Sequence, residues 1–174
     1  MSQKTMKWFL GLVAAVLIGA FLYLQAHSIK RSYVNGLPEY TALPGQEYIF
    51  ERACYLFKSD AHPSQYPLVG ANFPELTTSV PALPQEVSEK QIGSNNGGIR
   101  ILGTVHIGDR FRIVSVRRDE TRTGVQMSFE ILFIDEADRP YPRLDAYYLM
   151  NHEGDEQGKA PSILPDFAVQ RLKK

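Results

Sequence analysis

The run Trp8–Ala26, WFLGLVAAVLIGAFLYLQA, holds nineteen residues with no charged side chain and only Gln25 clearly polar. At about 1.5 Å of rise per residue, a helix of that length reaches roughly the 30 Å of a bilayer's hydrocarbon core. The pattern predicts one N-terminal transmembrane helix, with residues 1–7 as a tail before it and the remainder of the 174-residue chain tethered beyond it. The competing reading is a cleaved secretory signal, with Lys4 and Lys7 as its charged region and Ala26-His27-Ser28 as a small-x-small cleavage site. Length favours a retained span, because the apolar part of a signal usually runs about 7 to 15 residues. Cys54, the single cysteine, lies far from the run, so no residue is placed there for lipid attachment.

Lys4 and Lys7 precede the span, whereas Lys30 and Arg31 follow it. A short basic tail without an acidic group fits a signal anchor that keeps the N-terminus in the cytoplasm. The expectation is a single-pass cell-membrane protein whose domain lies on the exported side, periplasmic or extracellular. Gly11, Ala15 and Gly19 recur at every fourth position and share one helix face. Small residues so spaced let two helices approach, so this face is a candidate for homo- or hetero-association in the membrane. Against that stands the general abundance of glycine in membrane helices.

Nineteen basic and nineteen acidic residues give a formal net charge of zero, which argues against a general nucleic-acid binder. One cysteine excludes an internal disulfide, so the domain must be held by its core. Cys54 sits within YIFERACYLF, where Tyr48, Phe50, Arg52, Cys54 and Leu56 share one strand face. A buried packing role is expected for it. The enzymatic alternative, a thiol hydrolase, needs a neighbouring base and a setting that lowers the thiol pKa; His27, His62, His106 and His152 are scattered along the chain. Arg110, Arg112, Arg117, Arg118 and Arg122 read as a solvated strand face, and Asp135, Glu136, Asp138 and Asp145 as a solvated turn. Their spacing matches no metal-binding loop. No metal, cofactor or catalytic group is predicted.

Breakers at Asn35-Gly36, Pro38, Pro44 and Gly45 make 27–45 a stalk with little regular structure, and 46–174 the β domain. Glu47–Lys58 is the first strand. Residues 59–98, with Pro63, Pro67, Pro74, Pro81 and Pro84, form an irregular insertion. Within it Tyr66, Phe73 and Leu76 are the candidate partner-binding residues, since aromatics supply contact area and prolines limit the entropy lost on ordering. Strands are predicted at Ile99–Ile107, Asp109–Arg117, Gly124–Asp135 and Leu144–Met150. Phe111 and Ile113 are out of phase with Val114 and Val116, so a bulge near Ile113 is expected. Phe111, Ile113, Phe129 and Ile131 should be core. Ser162–Leu172 suits either a short helix or a final edge strand.

Ile101–Val114, ILGTVHIGDRFRIV, resembles the centre of bacterial SH3-like domains, in which an apolar-Gly-Thr strand leads through a Gly-Asp turn into an alternating strand. Gly103-Thr104 and Gly108-Asp109 hold those places, and Tyr147-Tyr148-Leu149 resembles the closing element. The resemblance implies a mainly β chain with a small SH3-like β-barrel; an oligonucleotide-binding-type barrel of five strands is the alternative fold. The function expected is a membrane-anchored, non-catalytic binding or assembly module of the cell envelope, recognising a protein, peptide or cell-wall component. The alternative is a structural subunit of a membrane complex that associates through its helix.

Overall fold

A computed structural model describes residues 6, 8, 12–20, 29–62, 64–71, 83–84, 86–121, 124–134, 139–152 and 159–171. The chain is mainly β, and its strands are β1 (Lys30–Tyr33), β2 (Glu47–Phe50), β3 (Cys54–Ser59), β4 (Leu68–Gly70), β5 (Asn95–Asn96), β6 (Ile99–Val105), β7 (Arg110–Thr121), β8 (Gly124–Phe133), β9 (Arg143–Asp145), β10 (Met150–Asn151), β11 (Ser162–Ile163) and β12 (Ala168–Gln170). All but β10 and β11 belong to one large sheet.

The spine is the β7–β8 pair, in register from Phe111↔Phe133 to Thr121↔Gly124. Along β8 the period-two alternation puts Met127, Phe129, Ile131 and Phe133 on the core face, where each is buried. The register slips between Ile113 and Ser115, the bulge expected there. One extra residue, Val114, returns Val116 to the side occupied by Phe111 and Ile113, so that all three join the same hydrophobic cluster. Tyr48 stacks on Phe111 with ring centroids 5.4 Å apart, and Phe50 meets the same ring at 4.7 Å.

The pairing path runs β12-β2-β7-β8-β9-β4-β3-β6-β5. β2 and β3 are consecutive in the chain, as are β6 and β7, and their joins face each other: Phe50 N donates to Asp109 O at 2.9 Å and Gly108 N to Phe50 O at 2.8 Å. The register of Tyr48↔Phe111 continues into Cys54↔Val105. Residues 47–59 and 99–112 are therefore one bent antiparallel ladder, and the pairings through β8, β9 and β4 return to it. Gly108, at φ +92°, takes the corner in a conformation that side chains disfavour, and Asp109 Oδ2 accepts from His106 N at 2.9 Å to fix it. The Gly-Asp turn thus bends one long strand in step with its partner.

Other expectations need correction. The stretch 27–45 is no stalk over its described part: β1 pairs with β7, and Val34 and Tyr40 are buried in the main core. The breakers make tight turns, with Tyr40 N bonded to Leu37 O and Gly45 N to Ile113 O. Residues 59–98 are not simply an insertion, because β4 bridges β3 and β9 and closes the path of pairings. Leu144–Met150 is not one strand: β9 ends at Asp145 and Tyr147–Leu149 form a 3₁₀ turn. The C-terminal segment makes edge strand β12 on β2, with Phe167 buried beside it.

Among the described residues no helix is long and apolar enough to cross a membrane. Helical backbone is described at Met6, at Trp8 and over 12–20, and every residue of 12–20 is exposed. The other residues of the expected span Trp8–Ala26 lie outside the described set.

Candidate functional site

After the bulge, β7 sends Ser115, Arg117 and Asp119 to the side of the sheet away from the main core, and β8 sends Ser128 and Glu130 to the same side. All five are buried. β9 adds Asp145, the loop after β3 adds His62 and Ser64, and β1 lays Arg31 and Tyr33 over the group.

Arg117 is the hub. Its Nε donates to Asp119 Oδ2 at 3.1 Å and its Nη2 to Asp145 Oδ2 at 2.7 Å. Asp145 also accepts from Ser64 Oγ at 2.6 Å, from Tyr147 N at 3.0 Å and from Ser128 Oγ. Glu130 accepts from Ser115 Oγ at 2.7 Å and from the Tyr33 hydroxyl at 2.8 Å. Arg31 Nε donates to Asp119 Oδ1 at 3.2 Å, so the first strand is tied to the network through two side chains. Arg117 Nη1 and His62 Nδ1 are buried and have no hydrogen-bond partner among the described residues.

Burial pushes the Asp145 carboxyl up, but the Arg117 guanidinium and the hydroxyls of Ser128 and Ser64 outweigh it, leaving the group below the ordinary carboxylate value. For Arg117, burial works against the charged form, and Asp145 and Asp119 overcome it. His62 is held below the usual histidine value, chiefly by burial, with Asp145 opposing. Its ring packs on Tyr147 at 4.3 Å, and His152 meets Tyr147 at 4.2 Å.

Chemically the arrangement is a clamp. Ser64 donates directly to Asp145, so no histidine stands between hydroxyl and carboxylate to activate the oxygen as a nucleophile. Cys54, the candidate thiol, is fully buried and pushed up to about 12 by burial; its Sγ lies 3.6 Å from Arg52 O. Its neighbours are core residues, which is a packing role. No group of His, Cys, Asp and Glu able to hold a metal ion occurs among the described residues.

The predicted site residues fare unevenly. Tyr66 is half-buried beside the clamp, its N–H bonded to Ser64 Oγ, while Phe73 and Leu76 lie outside the described residues. Ala15 and Gly19 lie four apart on the described helical stretch, both exposed; Gly11 lies outside it. Arg117 and Asp145, expected on a solvated strand face and a solvated turn, are both closed to solvent. Arg112 does face solvent. Elsewhere, a groove of about 230 Å³ runs between β6 and Arg139–Tyr141, floored by Leu56 and Leu102 and rimmed by Thr104 and His106.

Comparison with family models, with curated proteins and with solved structures finds no match to this chain.

Proposed function

We propose that the chain is a membrane-anchored, non-catalytic binding or assembly module of the cell envelope. Its ring of strands acts as a small SH3-like barrel that recognises a protein, a peptide or a cell-wall component on the exported side. One observation carries the anchor: LVAAVLIGA at 12–20 is helical, wholly apolar, and exposed at every residue. A helix that is hydrophobic all round is at home in a protein core or a bilayer, and neither core cluster among the described residues takes it. The remaining apolar residues of Trp8–Ala26 extend the same composition to the length of a span.

The groove beside β6 supports recognition by the domain. It combines an apolar floor of Leu56 and Leu102 with polar groups on its rim, the usual composition of a site that orients one ligand group. The half-exposed Thr104 lies where a larger side chain fills the groove. The second reading, association through the helix, is favoured by the exposed Ala15 and Gly19 on one face.

Crosslinking in native membranes separates the two. The full-length protein and a soluble variant starting at Ile29, which keeps β1 and Tyr40, should recover the same envelope partner, and Thr104→Arg should lose it. Recovery that persists with Thr104→Arg but fails with Gly19→Leu transfers recognition to the helix and overturns the domain-centred reading.

A further inference from the structure

The link between the apolar run and the domain is short. Ala26 closes the run and Lys30 opens β1, four peptide steps that span at most about 14 Å when fully extended. β1 is not a free arm. It pairs with β7 from Lys30↔Glu120 to Tyr33↔Arg117, and Arg31 and Tyr33 fasten it to the buried clamp. Its direction fixes where the anchor arrives: Lys30, the strand residue nearest the apolar run, lies opposite Glu120, one residue from the end of β7. The run therefore joins the domain at the turn end of the β7–β8 hairpin. The headgroup layer on one side of a bilayer is about 5–8 Å thick, so even a fully extended link carries Lys30 no more than about 6–9 Å beyond it, and any less extended link brings that end closer to the headgroups.

The face that arrives there is polar. Lys30 and Ser32 share one side of β1 with their partners Glu120 and Arg118, opposite the side that carries Arg31, Tyr33 and the clamp. Lys30 and Ser32 are exposed, Ser32 Oγ donates to Arg118 O at 3.3 Å, and Arg118 is ion-paired with Glu120. The balance of Lys30, Arg118 and Glu120 is one positive charge, which suits an anionic surface.

Resting on the anchored reading above, we propose that this hairpin end, presenting Lys30, Ser32 and Arg118, lies against the phospholipid headgroups of the bilayer that holds the apolar run. The domain is thereby oriented: β7 leads away from the membrane towards Arg112, about 20 Å further along at some 3.3 Å per residue. The clamp makes the orientation rigid by joining β1 to β7, β8 and β9.

The test places an NBD fluorophore on the full-length protein at Arg118→Cys or at Arg112→Cys, in vesicles of phosphatidylcholine and phosphatidylglycerol carrying nitroxide-labelled headgroups. Native Cys54 can stay, since it is buried. Ser32→Cys repeats the near reading from β1 and guards against a local effect of losing the Arg118–Glu120 pair. Flotation of the protein with the vesicles is scored first. Strong quenching at positions 118 and 32 with little at 112 is the expected result. Equal quenching at near and far positions, or none at either, in protein that floats overturns the orientation and leaves the anchor standing. Protein that does not float overturns the anchor, and the orientation with it.

Discussion

Arg117 Nη2 donates to Asp145 Oδ2 at 2.7 Å across the width of β8, with both side chains shut off from water. The two strands concerned, β7 and β9, are not neighbours in the sheet; β8 lies between them and contributes Ser128 to the same carboxylate. A charge pair in such a place must offset the desolvation of both ions, and it does so here by saturating Asp145 with donors from four segments of the chain.

Removing one partner should therefore be severe. Arg117→Met leaves Asp145 buried without a counter-charge and should cost about 3–5 kcal/mol of unfolding free energy. Arg117→Met combined with Asp145→Leu should recover much of that loss, since an apolar pair of similar volume carries no desolvation penalty. Urea unfolding of the two variants measures both; a near-neutral single variant would show that the clamp does not hold the fold.

Acid should act in two windows. His62 has a folded-state pKa below the ordinary 6.5, so the folded protein binds fewer protons than the unfolded chain, and its contribution is complete above about pH 6.5 and declines as pH falls towards the folded value. Asp145 is likewise depressed below 3.8, so its contribution is complete above that value and is lost only as pH falls through the still lower folded pKa. In unfolding curves taken against pH, His62→Gln should flatten the upper window and leave the lower one. An unchanged upper slope would remove His62 as its source.

Cys54 should be inert in the folded protein. With its pKa pushed up to about 12, the thiolate at pH 8 is about one part in ten thousand, before burial limits access further. Reaction with a thiol reagent should require denaturant, whereas rapid labelling under native conditions would revive a nucleophilic role.

Phe129→Ala should cost about 3–5 kcal/mol, the usual effect of emptying an aromatic core site. Phe129 is fully buried and pairs with Val116 across the β7–β8 ladder. An unchanged melting temperature would show that β8 is out of phase with the core.

Much of this core was legible from one-dimensional pattern. Met127, Phe129, Ile131 and Phe133 announce their face by period two, and the phase change at Val114 announces the bulge. The clamp was not, for the same reason: Ser115, Arg117 and Asp119 also alternate, and on an open sheet such a row faces water. What buries them is distant in sequence, β1 from before the domain's expected start and Ser64 from the supposed insertion. The cue available was the crowding of Ser, Asp and Glu opposite a strand arginine, which a solvated face does not require. Pro44 and Gly45 likewise read as linker, although the turn they make only carries the chain from β1 to β2 along the same edge of β7.

The anchor is tested most directly by washing native membranes in alkaline carbonate and sedimenting them. A protein held by a span at Trp8–Ala26 should stay with the bilayer pellet, while a variant starting at Ile29 should move to the supernatant. Full-length protein released into the supernatant with that variant would contradict the membrane-anchored reading.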